Sequence, residues 1–147
     1  MSLSWNFITP RLATGGGITV EGDVQELADQ GITHVIDTTD AEDDAPLITH
    51  SMAYLYNPTA DDGTHKESAW FGTSLTFALP VFAVPRAKLY AHCTAGMNRG
   101  PSTAYAIMLA LGWDGPGALA LIKTKRLGAS VAYAADAVRA VSALGYV

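Results

Sequence analysis

The stretch AKLYAHC, residues 87–93, is short and apolar, and it runs through CTAGMNR directly into the apolar helical segment PSTAYAIMLALG. A buried strand feeding a helix through a glycine-bearing turn is the unit of an α/β layer fold, because the apolar helix must cover the strand it follows. HVIDTT (34–39) and MAYLYNP (52–58) have the same look of buried strands. Between the last two strands, KESAWFGTSLTFALPVFAV carries apolar positions at helical spacing, with Pro80 interrupting it and Pro85 marking its end. Ahead of HVIDTT, Asp23 and Glu26 make a capping-box start, Val24 and Leu27–Ala28 an apolar face, and Gly31 a stop. Three more helices are expected near 100–112, 115–126 and 130–144. In such folds ligands collect at the carboxyl ends of the strands, and Cys93 stands at one.

At 147 residues and 49% hydrophobic, without repeats or low-complexity tracts, the chain reads as one domain over 1–147. Fourteen acidic against 9 basic residues, a net charge of −5, argue against a nucleic-acid surface, which needs clustered Lys and Arg. A single cysteine makes no internal disulfide, so the chain is expected in a reducing, cytoplasmic compartment. MSLSWNF lacks the features of a signal peptide, and the longest apolar runs, LTFALPVFAV and AIMLALGW, are too short or too interrupted to span a bilayer.

The Cys93–Arg99 turn is where chemistry is expected. A strand-to-helix turn lets the backbone N–H groups of Thr94, Ala95, Gly96, Met97, Asn98 and Arg99 converge on an anion at a helix N-terminus, with Gly96 supplying the curvature. Amide donors and a positive helix end favour the thiolate form of a cysteine at their centre. Arg99 adds a planar fork that matches two phosphate oxygens, where lysine would offer a point charge. An isolated cysteine at a strand end is most often an inert core residue. The histidine before it, the glycine three after it and the arginine six after it point instead to attack on a phosphate monoester.

HCTAGMNRGPS resembles the His-Cys-x₅-Arg signature of the cysteine-dependent protein tyrosine phosphatase superfamily, and the short chain resembles its dual-specificity branch. ITPRLATGG is similar to that branch's opening strand and turn, GITHVIDTT to its next strand, and DDGTHKESAWF to its acid loop and following helix. The resemblance implies a central, mostly parallel mixed sheet of four to five strands flanked by helices. It also implies phosphoryl transfer through a cysteinyl-phosphate, and neither metal nor organic cofactor. Protonation of the leaving group requires a carboxylic acid, for which Asp61 and Asp62 are the candidates. Matching SAWF (68–71) to the family's helix start puts Asp61 at the acid position, while Asp62–Gly63 reads as a turn dipeptide.

Gly100 stands where the family has Ser or Thr, whose hydroxyl assists hydrolysis of the phosphoenzyme, so slow breakdown of the intermediate is expected. Ser102, Thr103 and Thr94 are the hydroxyls available to compensate, and backbone freedom is a second reason for a glycine. Plant glucan phosphatases are similar in CTAGM and also lack that hydroxyl, but have Gly at the Asn98 position and carry a carbohydrate-binding module for which this chain leaves no room. His92 is expected to hold the loop through the cysteine backbone. His34, His50 and His65 lack metal-ligand spacing. Trp70 and Phe71 read as core, the acidic run Asp40, Glu42, Asp43, Asp44 as a solvated loop, and Lys123, Lys125 and Arg126 as surface charges ending a helix. The function expected is hydrolysis of phosphotyrosine-, phosphoserine- or phosphothreonine-type esters. A phosphate-binding interaction module without turnover and a rhodanese-like sulfur transferase are the rivals.

Overall fold

The computed structural model describes residues 3–48 and 52–147, which leaves His50 outside the described residues. Five strands, β1 (Trp5–Thr9), β2 (Leu12–Gly15), β3 (His34–Asp37), β4 (Ala53–Tyr56) and β5 (Leu89–His92), form one sheet in the order β1-β2-β5-β3-β4. β1 pairs antiparallel with β2, and every other pair is parallel. Five helices flank it: α1 (Glu21–Asp29), α2 (Ser68–Ala78), α3 (Arg99–Ala110), α4 (Gly115–Lys125) and α5 (Ala134–Ala143).

Alternation along each strand decides which face meets which helix. Ala13, Val35 and Tyr90 join Val24 and Leu27 of α1 in one core, whereas Leu12, Ile36, Leu89 and Ala91 join Phe71, Leu75, Ile107, Ile122 and Val141 in the other. Both faces are covered, so the parallel strands are apolar throughout rather than alternating. The segment PSTAYAIMLA is apolar around most of its circumference because α3 is central, touching α2, α4 and α5 as well as β2 and β5. Truncating a fully buried side chain there, such as Ile107→Ala, costs about 2–5 kcal/mol.

Two helix boundaries carry information. α1 begins at Glu21, two residues before the expected capping residue. Asp23 instead sits in the first turn and reaches back, its Oδ2 accepting from the N–H groups of Thr19 (2.9 Å) and Val20 (3.3 Å). The helix ends as expected at Gly31, with φ of 89° and with Ile32 N–H donating to Leu27 C=O, the six-to-one bond of a glycine-terminated helix. At the other boundary α2 yields at Pro80 to a 3₁₀ turn, Leu79–Ala83, because proline cannot donate to the preceding turn. Among the described residues no helix is long and apolar enough to cross a membrane.

Candidate active site

Gly15, His92, Asp37 and Tyr56 are successive register partners, so the four parallel strands end at one level of the sheet. The segments leaving that row are Gly16–Gly17, the Cys93–Arg99 loop, residues 38–46 and the acid loop 57–67. They meet because parallel strands release their chains at the same edge.

The Cys93–Asn98 segment turns all six of its carbonyls to donors. Cys93 accepts from His92 Nδ1 (3.2 Å), Thr94 from Gly17 N–H (3.0 Å), and Ala95 and Gly96 from the Arg126 guanidinium (3.2 and 3.0 Å). Met97 accepts from the N–H groups of Ser130 (2.9 Å) and Val131 (3.2 Å), and Asn98 from that of Ser102 (2.8 Å). Across a trans peptide the next residue's N–H points opposite to the carbonyl, so carbonyls held outward on 93–98 aim the amides of 94–99 inward. None of those amides has an acceptor among the described residues. They belong to the turn that follows Cys93, which is 2% exposed. Gly96 makes the bend with φ of 75°, and a Cβ there would lie 2.4 Å from the Gly15 carbonyl carbon, so two constraints select glycine.

Arg99 opens α3 and is buried. Among the described residues its Nη1 is pinned to Thr59 C=O (2.8 Å) and Asp40 Oδ1 (3.2 Å), its Nη2 has only a long contact with Thr94 Oγ1 (3.4 Å), and its Nε has no partner. The Nε–Nη2 edge is therefore left for an oxyanion of bidentate geometry. Arg126 is not the surface charge expected from its place beside Lys123 and Lys125. Those two are exposed, but Arg126 is 4% exposed and spends its guanidinium on Ala95 C=O, Gly96 C=O and Asn6 Oδ1. It holds two of the outward carbonyls and so orients the loop.

The acidic run after β3 is not uniformly solvated either. Asp40, Glu42 and Asp43 are exposed, whereas Asp44 is 2% exposed and bonds His92 Nε2 at 2.5 Å, with Asp37 Oδ1 at 3.9 Å from the same nitrogen. Burial works against a charged His92, but the Asp44 and Asp37 carboxylates outweigh it and raise the imidazole above its ordinary value. Burial likewise raises Asp44, against the pull of His92. A proton therefore lies between Asp44 and His92, and His92 donates from Nδ1 to Cys93 C=O. Asp37, Asp44 and His92 bring potential metal ligands within 4.8 Å of one another, yet Asp37 is already engaged by Thr39 and Tyr54, and Asp44 by His92. The cluster reads as a closed hydrogen-bond network.

Of the two acid candidates, Asp62 belongs to its own turn. It accepts from Thr64 Oγ1 (2.7 Å) and N–H (3.0 Å) and from Lys66 Nζ (3.1 Å), bonds that hold its carboxyl well below the usual carboxylate range. Asp61 faces the signature loop: Asn98 Nδ2 lies 3.4 Å from its Oδ2, and the Tyr133 hydroxyl donates to its Oδ1 at 2.7 Å. Ser102 is buried, and its Oγ accepts from Tyr133 N–H (3.3 Å), tying α3 to the start of α5. His65 lies against Asp136, away from any ligand cluster, and His34 against Thr33. Phe71 is core, and Trp70 spends its indole N–H on Asn57 C=O.

Gly100 is explained by space rather than by backbone freedom, since it is helical. A Cβ there would stand 2.9 Å from His92 Cα and 3.1 Å from Ala91 C=O, so the glycine lets α3 lie directly on β5. Gly100→Ser therefore does not simply restore a missing hydroxyl. It is expected to lower thermal stability by about 1–3 kcal/mol, the scale of overpacking. A variant of unchanged melting temperature would overturn this.

No family model matches the chain. In three dimensions the chain has the fold of the cysteine-dependent protein tyrosine phosphatase superfamily, in its dual-specificity form. Human DUSP28 superposes with a TM-score of 0.80 at 18% identity, over 95% of this chain and 94% of that one. PTPMT1 in complex with PI(5)P gives 0.77 at 16%, over 96% and 99%. The human tyrosine phosphatase-like serine/threonine/tyrosine-interacting protein gives 0.76 at 19%, over 96% and 97%.

Proposed function

We propose that the protein is a cysteine-dependent phosphatase that hydrolyses phosphate monoesters of the phosphotyrosine, phosphoserine or phosphothreonine type. The observation that carries this is the loop: every carbonyl from Cys93 to Asn98 accepts from a donor, which leaves six amides without an acceptor among the described residues, and one open guanidinium edge, on the turn that follows the single cysteine. Such a cradle fits the three equatorial oxygens of a phosphoryl group in transfer, and each preorganised donor of this kind is worth about 10²–10³ in rate.

In the first step the Cys93 sulfur attacks phosphorus, an S–P bond forms, the ester P–O bond breaks, and the leaving oxygen takes a proton from Asp61. In the second, Asp61 removes a proton from water, which attacks phosphorus. The S–P bond breaks, and the sulfur and inorganic phosphate are released. Arg99 spans two phosphoryl oxygens throughout. Its fork and the facing carboxylate favour phosphate over the sulfane sulfur of a rhodanese-like reaction. The single unpaired thiol fits a reducing compartment, and we place the enzyme in the cytoplasm.

A phosphate-binding module without turnover is the second reading, favoured by Gly100, which removes the hydroxyl expected to assist phosphoenzyme hydrolysis. Steady hydrolysis of an aryl phosphate in excess chelator, lost when one equivalent of alkylating reagent has reacted with the only cysteine, is the expected result. Activity that survives stoichiometric alkylation would remove Cys93 from the reaction. Phosphate binding with no hydrolysis of any ester would leave the binding module.

A further inference from the structure

Asp61 carries the chemistry proposed above from an awkward place. It is exposed, and it lies in the irregular segment between β4 and α2, where no helix or strand fixes its direction. A general acid displaced by a fraction of a hydrogen-bond length loses most of its effect, so something else must hold it.

Among the described residues two groups hydrogen-bond its carboxylate, and they come from different parts of the chain. Asn98 Nδ2 makes a long contact with Oδ2 (3.4 Å), and the Tyr133 hydroxyl makes a short one with Oδ1 (2.7 Å). Tyr133 is itself firmly seated. Its side chain is buried, its hydroxyl accepts from Gly63 N–H (3.1 Å), and its backbone N–H donates to Ser102 Oγ three residues after Arg99. The Lys66 ammonium lies 4.9 Å over its ring while also bonding Ala60 C=O (2.6 Å) and Asp62 (3.1 Å). Lys66 N–H in turn donates to Asp136 of α5 (3.0 Å). The acid loop is thus fastened to the start of α5, and the fastening ends at the carboxylate itself.

We propose that Tyr133 is a positioning residue for the Asp61 general acid: its hydroxyl occupies Oδ1, so the transferable proton resides on Oδ2, the oxygen that faces the signature loop. The phenol suits this task because burial and the neighbouring carboxylate both raise its pKa, keeping it a donor at neutral pH. The proposal rests on the phosphatase reading, since an acid needs positioning only if it transfers a proton.

The test is Tyr133→Phe, which removes the hydroxyl and keeps the ring under Lys66. kcat/KM is measured for phosphate esters of increasingly poor leaving groups, in wild-type, Asp61→Asn and doubly substituted backgrounds. Tyr133→Phe is expected to lose about tenfold on an alkyl phosphate, the scale of one hydrogen bond to a charged group, and almost nothing on an activated aryl ester. Inhibition by inorganic phosphate should be unchanged, because the cradle keeps all its contacts. In the Asp61→Asn background the hydroxyl should no longer matter, since two residues acting through one group are not additive. An equal loss on every ester, no loss on any, or a loss that persists without the Asp61 carboxylate would each overturn the proposal. If Asp61→Asn itself shows no dependence on the leaving group, the role assigned to Asp61 fails and takes this proposal with it. If Asp61→Asn shows that dependence and Tyr133→Phe does not, only the proposal falls.

Discussion

Cys93→Ser is expected to abolish turnover, by on the order of 10⁶, the scale seen when an enzyme's covalent nucleophile is removed. Serine changes the volume little, and Cys93 is held through its backbone, its N–H donating to Gly15 C=O and its own C=O accepting from His92. The cradle should therefore survive, and the variant should bind inorganic phosphate as wild type does while hydrolysing nothing. What it loses is a sulfur far more nucleophilic at neutral pH than a hydroxyl with no adjacent base. Rapid mixing sharpens the test. Because Gly100 offers no hydroxyl to the departing sulfur, wild type mixed with an activated aryl phosphate should release close to one equivalent of phenol per site before its steady phase. Cys93→Ser should show neither phase. Residual turnover within about tenfold of wild type would mean that the sulfur is not the attacking atom.

The parts of this site that the sequence discloses are contiguous in it. Cys93, Gly96 and Arg99 share one turn, and a strand before it and an apolar helix after it say which way the turn opens. Asp61 is legible too, because a carboxylate just past β4 emerges at the same edge of a parallel sheet. What holds these residues in place is not legible. Arg126 follows a helix end in the same way as a solvated cation, and only the packing of α4 beside β1 brings it beneath Ala95 and Gly96. Asp44 is one of four acids in five positions. Nothing in the run marks the member that folds back onto His92, because that choice depends on how residues 38–46 cross the end of β5. Tyr133 lies 72 positions from the carboxylate it grips. Gly100 shows the same limit from the other side, since a missing hydroxyl is visible in sequence and a missing space is not.

Asp61→Asn is expected to lower kcat/KM on an alkyl phosphate by about 10²–10⁴, the usual worth of general acid catalysis, and to lower it on an activated aryl ester far less. The contrast follows from the leaving group: an alkoxide cannot depart unprotonated, whereas a nitrophenolate-like anion can. Asp62→Asn is expected to change neither rate much. Its carboxylate is held anionic by Thr64 and Lys66, so it is a poor donor for the first step, and its loss should appear mainly as a small drop in melting temperature when Lys66 loses a partner. Comparing kcat/KM across a graded series of esters for both variants separates them, and the reverse pattern would move the acid one residue along. In the proposed second step Asp61 is also the base toward the water that cleaves the S–P bond, and asparagine cannot serve as one. On an activated ester, where the first step survives, Asp61→Asn should therefore keep the full burst, with kcat/KM little changed, and show a slower steady phase. A variant that loses burst and steady phase together on that ester would place Asp61 in binding or loop structure rather than in proton transfer.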